Sequence, residues 1–311
     1  MLGAMDAGTT RRGGFRGLWL SLGLLWACAA SPLGESVSSG KPAPESPADA
    51  LERKQAELAQ AEARLAEAPQ DEERLIWVGR RLAYLERFDE AQAVYTRALL
   101  LHPRSAKALR HRGHRWITLR RFDRAVADLS RAWDLCRGLP DEVEQDGQPN
   151  AAGIPIGTLQ SNIVYHLALA HYLRGEFASA AALWQAGREL NLRNDDRLCS
   201  AAYWNHLALA RAGDVEGARA VLQPVREPLK ILENESYRDL CFLLKGELAA
   251  ENVLGGVTPG STEFATRGYG VACALLLRGD SQAARELFLR IVETGPKNAF
   301  GAIAAEVELA R

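Results

Sequence analysis

The chain repeats itself, and that limits what it can fold into more than any other feature. Leu85-Glu86-Arg87-Phe88-Asp89-Glu90-Ala91 returns as Leu119-Arg120-Arg121-Phe122-Asp123-Arg124-Ala125, an offset of 34 residues. The same offset relates Leu75 to Leu109, Gly79 to Gly113 and Ala98 to Ala132. Within one unit Ala91, Val94, Tyr95 and Ala98 recur at helical spacing and make a single apolar stripe. A unit this short cannot bury its stripe alone. Each must lean on its neighbours, and stability becomes roughly a nearest-neighbour sum. Three further units follow at looser spacing. They are residues 161–194 (Ala168, Phe177, Ala180, Trp184), 199–232 (Leu209, Ala218, Leu222) and 265–298 (Ala272, Leu275, Ala284, Phe288, Pro296). The fourth is the poorest match, because His206 takes a place held elsewhere by a small residue.

The period and the small-residue positions resemble the tetratricopeptide repeat, a helix–turn–helix unit. The likeness is fullest over 72–105, with Gly79, Ala91, Tyr95, Ala98 and Pro103 in place. It continues over 106–139 with Gly113, Trp116, Ala125, Leu129 and Ala132, although Arg137 replaces the closing proline. The resemblance implies an all-α, right-handed superhelix. Gly79, Gly113, Ala168 and Ala272 would sit where paired helices approach, against Ala91, Ala125, Ala180, Ala218 and Ala284 on the second helices. Residues 49–68 and 300–310 read as capping helices; Pro69 stands 34 residues before Pro103. Residues 140–159 are a long insertion expected to fold back through Ile154-Pro155-Ile156. Residues 236–252 read as one extra helix, started by Glu233-Asn234-Glu235, and residues 255–260 as a glycine-rich loop.

The first fifty residues have a different composition. Arg11, Arg12 and Arg16 precede a 13-residue apolar run, 18–30, shorter than the roughly 20 residues that span a bilayer. A basic start and a short apolar core describe a secretory signal over 1–27. Leu25-Trp26-Ala27-Cys28 resembles the lipobox of bacterial lipoproteins, with Trp26 departing from the usual small residue. That likeness implies cleavage before Cys28 and a diacylglycerol on its thiol. Ordinary cleavage near Ala29 or Ala30 is the competing reading. Residues 28–50 form a tether, since 31–50 hold four prolines and five serines and little to bury. The repeat domain takes 51–311. Lipidation would make the protein a periplasmic lipoprotein anchored to a membrane.

With a net charge of −1 the chain lacks the surplus of Lys and Arg that binding to nucleic acid needs. Removing 1–27 takes away three basic residues and one acidic residue, which makes the remainder slightly more acidic. No Walker loop, G-x-S-x-G, strand-plus-G-x-G-x-x-G or zinc-protease motif is present, so neither an enzyme nor a cofactor is expected. His111 and His114 are three apart, but no third ligand is fixed, so no metal is expected. Cys136, Cys199, Cys241 and Cys273 carry no C-x-x-C and fall in helical stripes, which favours buried thiols.

Tetratricopeptide arrays use their first helices to line a concave groove. By that resemblance Arg80, Tyr84, Lys107, Arg110, His114, Asn162, Tyr165, Tyr172, Tyr203, Thr266 and Tyr269 are the groove positions. Tyr165, Tyr203 and Tyr269 hold the same place in three units. They serve either as contact faces for a partner or as packing between first helices. Arg80, Lys107, Arg110 and His114 form a basic patch suited to a carboxylate or acidic segment, or simply to water. The expected role is a non-catalytic adaptor for a protein or peptide partner in the periplasm. The alternative is a soluble exported array with a structural or small-ligand role, residues 140–159 acting as its lid.

Overall fold

A computed structural model describes residues 46–311. The signal, Cys28 and most of the tether lie outside the described residues. The described helices are α1 (Pro47–Glu67), α2 (Glu72–Tyr84), α3 (Phe88–Leu101), α4 (Ala106–Thr118), α5 (Phe122–Cys136), α6 (Leu159–Leu173), α7 (Phe177–Ala186), the single turn α8 (Arg188–Asn191), α9 (Asp195–Arg211), α10 (Val215–Ala220), α11 (Glu235–Lys245), α12 (Ala250–Leu254), α13 (Thr262–Leu277), α14 (Ser281–Thr294) and α15 (Phe300–Ala310). Among the described residues there is no strand, only an isolated bridge between Val143 and Thr158. None of these helices is long and apolar enough to cross a membrane.

Local chemistry fixes the register of the pairs. Every first helix begins on a side chain that caps its free amides: Asp71, Ser105, Thr158, Asn194 and Ser261. Every pair then turns on a left-handed residue. Gly175, Gly213 and Gly279 hold this place at φ of 80°, 87° and 90°, and Glu86 and Arg120 hold it at 59° and 57°. In each unit the next amide bonds the carbonyl five residues back, as Arg87 does to Leu82 and Arg121 to Trp116. The units are helix–turn–helix pairs stacked side by side, and the described region is a tetratricopeptide-like solenoid.

Packing explains the small residues. A Cβ on Gly79 would lie 2.4 Å from the Tyr95 ring, and one on Gly113 would lie 2.6 Å from Leu129. Ala91, Ala98, Ala125, Ala132, Ala168, Ala180, Ala218, Ala272 and Ala284 are all buried. Pro103 is exposed and contributes its carbonyl, which accepts from Arg131 at 2.6 Å; Pro69 accepts from Arg97 at 2.7 Å in the preceding turn.

Two sequence expectations change, and a third is refined. Helix α1 begins at Pro47, capped by Ser46, so it takes in residues assigned to the tether. The extra helix is two helices, because Gly246 adopts φ 80° and ends α11. Of the acidic cluster, Glu235 stands in the first turn of α11 as expected, but no side chain of the cluster caps the helix. The backbone amides of Leu232, Glu233 and Asn234 instead donate to the buried Asp196 carboxylate at 2.8–2.9 Å. The poor fourth repeat also has a cause. His206 Nδ1 donates to the Ala218 carbonyl at 2.7 Å, and that carbonyl is lost to α10, which ends two residues later.

The solenoid closes on itself. Helix α15 packs on α13 and α14, with Gly301 so near Ala265 that a Cβ would lie 2.1 Å from its carbonyl oxygen. Arg120, at the left-handed turn of the second unit, reaches Glu306 (2.6 Å) and the Lys297 carbonyl (2.8 Å). Arg211 pairs with Glu308 at 2.9 Å, and Arg311 donates to the Tyr172 carbonyl at 3.0 Å. Phe300 lies against His114, His166 and Tyr165. The last helix therefore covers part of the face made by the first helices.

Candidate functional site: the first-helix groove

Helices α2, α4 and α6 present one charged surface, and the chain's own insertion lies on it. Residues 141–147 run extended, joined to the returning limb by Glu144 N–H to Gly157 O (3.1 Å) and Leu159 N–H to Glu142 O (2.9 Å). Lys107 pairs with Glu142 at 3.1 Å. Glu144 accepts from Arg110 at 2.9 Å and Asn162 at 3.1 Å, with His111 3.5 Å away. Arg80 and Arg81 donate to the carbonyls of Gln145 (2.8 Å) and Gly147 (3.1 Å). Gly147 lies so close beneath Tyr84 that any Cβ would overlap its hydroxyl. Arg197 donates to Asn162 Oδ1 at 3.2 Å, which turns the amide so that its Nδ2 faces Glu144. The limb is held in two ways, by side-chain carboxylates on cations and by main-chain carbonyls on guanidiniums.

The contact comes from the acidic limb. The apolar Ile154-Pro155-Ile156 segment folds back only in part: the Ile156 carbonyl accepts from Asn194 at 2.9 Å and Pro155 and Ile156 are half-buried, while Ile154 is 49% exposed.

A cavity of about 200 Å³ remains beneath the limb, among Arg80, Tyr84, Arg110, His114, Arg115 and Asp146. Burial lowers the Arg115 guanidinium to about 10 and raises the Asp146 carboxyl. Burial first, then Arg110 or Arg115, pushes His111, His114 and His166 well below the usual imidazole range. All three are neutral at physiological pH.

Further along the same face the chemistry changes. Tyr165, Tyr172, Tyr203 and Tyr269 are all buried. Tyr165 and Tyr237 share a hydroxyl hydrogen bond at 3.1 Å, and Trp204 Nε1 donates to Tyr165 at 3.0 Å. Tyr172 and Tyr269 bond at 2.9 Å. Trp204 lies against Tyr203 and Tyr269, at ring separations of 5.2 and 5.7 Å. Burial raises every one of these phenols. Thr266 bonds its own helix at Thr262 O.

Thus Arg80, Tyr84, Lys107, Arg110 and Asn162 meet at one surface. His114 packs on His166 and Phe300, and the tyrosines form an aromatic core. Of the two readings of the tyrosines, packing describes where they stand. The sequence reading weighed His111 only as a metal ligand and did not single out Arg197 or Glu144, which meet at this surface. The one available signal was the run of acidic residues within 141–146. Among the described residues no group of three or more His, Cys, Asp or Glu is arranged to hold a metal ion, and the four cysteines are buried thiols.

No protein-family model matches the chain, and no curated protein matches it significantly. Solved structures of similar architecture exist. YrrB, described as a tetratricopeptide protein with an unusual peptide-binding site, is 15% identical with a TM-score of 0.42, over 79% of this chain and 97% of that one. A tetratricopeptide repeat protein from Parabacteroides merdae is 11% identical with a TM-score of 0.49, over 84% and 97%. A structure of Naa15/Naa10 bound to HypK-THB is 16% identical with a TM-score of 0.37, over 82% of this chain and 37% of that one. Identities this low carry no information about a shared ligand.

Proposed function

We propose that the chain is a non-catalytic scaffold whose α2–α4–α6 groove takes an extended, acidic segment of a partner polypeptide. Residues 141–147 occupy that groove when no partner does. The supporting observation is the fit of the chain's own acidic limb to Lys107, Arg110, Asn162 and Arg80. An intramolecular occupant competes at a high effective concentration, so a partner must offer more contacts or more charge than Glu142, Glu144 and Asp146 do.

A labelled peptide with the sequence of residues 140–148 tests this. A chain carrying Glu142→Gln, Glu144→Gln and Asp146→Asn should bind it at least about tenfold more tightly than the unaltered chain. Adding Arg110→Ala should abolish the gain, and salt should weaken binding. Equal binding of the peptide by both chains, or equal binding of a peptide with Gln and Asn replacing the acids, would refute the reading.

The proposed setting is the bacterial periplasm, with Cys28 lipidated. The basic start, the short apolar run and Leu25-Trp26-Ala27-Cys28 support it. Mass spectrometry of the mature N-terminus decides between this and a soluble product. A diacylglyceryl Cys28 is expected, and an unmodified start at Ala30 or Ser31 would overturn it.

A further inference from the structure

The cavity beneath the limb has walls of two origins. Its cations, Arg80, Arg110 and Arg115, stand on α2 and α4, whereas its anions, Glu144 and Asp146, both belong to the covering limb. The limb answers two of the three guanidiniums. Arg110 holds Glu144 at 2.9 Å, and Arg80 holds the Gln145 carbonyl at 2.8 Å. Arg115 is placed differently. It donates to His114 Nε2 at 2.5 Å, faces the Phe88 ring at 5.7 Å, and among the described residues pairs with no carboxylate. Burial lowers its pKa to about 10, because a desolvated cation is costly where no anion faces it. It is still within reach of a guest, being only half-buried and part of the cavity wall. With the limb lifted, the floor holds three guanidiniums beside Tyr84 and a neutral His114, and no acid on α2 or α4 lines it.

We propose that the partner segment taken by this groove carries a phosphomonoester, seated in the cavity on Arg115, Arg110 and Arg80. The proposal rests on the groove reading above and names what the partner brings that the limb lacks. Carboxylates laid along the limb's path would repeat its contacts and leave Arg115 without an anion. A phosphomonoester carries about −1.5 to −2 charges at pH 7 and three acceptor oxygens, enough to meet more than one guanidinium. Arginine suits it, because the planar fork matches two phosphate oxygens at once. The register has a natural place for the group. Asp146 lines the cavity, and Arg80 and Arg110 act on its carboxyl. A phosphoserine standing where Asp146 does would hold its oxygens one bond further from the backbone than aspartate. Its phosphoryl group is small beside a cavity of about 200 Å³. The added charge also gives a partner the advantage it needs over a tethered limb.

The probe is the labelled peptide of residues 140–148 with phosphoserine in place of Asp146, measured against the unmodified peptide. The receptor is the full chain carrying Glu142→Gln, Glu144→Gln and Asp146→Asn, which on the groove reading binds the unmodified peptide. The phosphoserine should tighten binding at least about tenfold. Phosphoserine in place of Glu142 should gain less than about threefold, since Glu142 is exposed and does not line this cavity. Adding Arg115→Gln to the receptor should cut the affinity of the first phosphopeptide about tenfold and that of the unmodified peptide less than about threefold. If that variant does not fold, Arg115→Lys replaces it; a point charge without the fork should lose at least about threefold of the gain. Inorganic phosphate alone should not displace the unmodified peptide below about 10 mM. Displacement there would make the site one for a free oxyanion and overturn the proposal. So would equal gains from the two phosphoserine positions, or an Arg115 variant that weakens both peptides alike. Failure of the unmodified peptide to bind would strike the groove reading itself, and this proposal with it.

Discussion

The face made by the first helices carries two chemistries. Over α2, α4 and α6 its groove positions are Arg80, Lys107, Arg110 and Asn162, and the covering segment is an acidic loop held by charge-assisted hydrogen bonds. Over α6, α9 and α13 the equivalent positions hold tyrosines, and the cover comes from α11 and α15, through Tyr237 and Phe300. The first cover should lose less by lifting, because carboxylates and guanidiniums are well solvated once apart. The second loses aromatic surface to water and strands hydroxyls, so it behaves as core. The same repeat position thus lies under a charged loop in one unit and inside aromatic packing in another. What the chain lays over that position decides which.

The sealed half should break first and hardest. Trp204→Ala removes a buried ring touching Tyr172, Tyr203 and Tyr269 and should cost about 3–5 kcal/mol in urea unfolding. Acid should act next. His111, His114 and His166 are held below their unfolded pKa of about 6.5, so the unfolded chain takes up protons that the native chain refuses. Stability is therefore full above about pH 6.5 and falls as the pH drops below it. The loss is at most about 1.4 kcal/mol per histidine for each unit. Thermal melts at pH 7.5 and 5.5 check the sign, and replacing His166 with Gln should reduce the slope. Gly301→Val places a side chain on the Ala265 carbonyl and should cost about 1–3 kcal/mol. Hydrogen exchange should quicken in α15 and leave α2 and α3 unchanged.

The repeat frame was legible because it rests on local chemistry. The 34-residue offset places Gly79 against Tyr95 and Gly113 against Leu129, and those contacts fall within single helix pairs. The division of the groove was not legible, because it depends on partners far away in sequence. Phe300 meets His114, Arg120 meets Glu306 and Glu144 meets Arg110 only when the solenoid has closed and the insertion has folded. Tyr165, Tyr203 and Tyr269 carry the same spacing whether exposed or covered. Periodicity says which face of a helix they share and nothing about what lies on top.

Glu144→Gln tests whether the charged half really is the looser one. Side chains of Arg110 and Glu144 are 10% and 13% exposed, and breaking a pair that stays buried costs about 3–5 kcal/mol. A loop that lifts instead lets Arg110 hydrate. The global loss should then stay below about 1 kcal/mol. Faster exchange should be confined to the Glu144 and Leu159 amides that join the two limbs. A loss as large as that of Trp204→Ala would mean that the two halves are equally sealed.

The smallest effect concerns the turns that hold the closed form. Glu86 and Arg120 pay the left-handed penalty that Gly175, Gly213 and Gly279 avoid, about 1–2 kcal/mol for a residue with a Cβ. Glu86 gains in return one exposed hydrogen bond at 3.3 Å from Asn298. Arg120 gains two bonds to Glu306 and one to the Lys297 carbonyl. Glu86→Gly should therefore be neutral or stabilising by up to about 1 kcal/mol, the relieved strain offsetting the extra freedom of glycine in the unfolded chain. Arg120→Gly should destabilise by about 1 kcal/mol despite the same relief, because charge-assisted bonds to α15 are lost. Equal effects of the two substitutions in urea unfolding would show that Arg120 does not clasp the last helix.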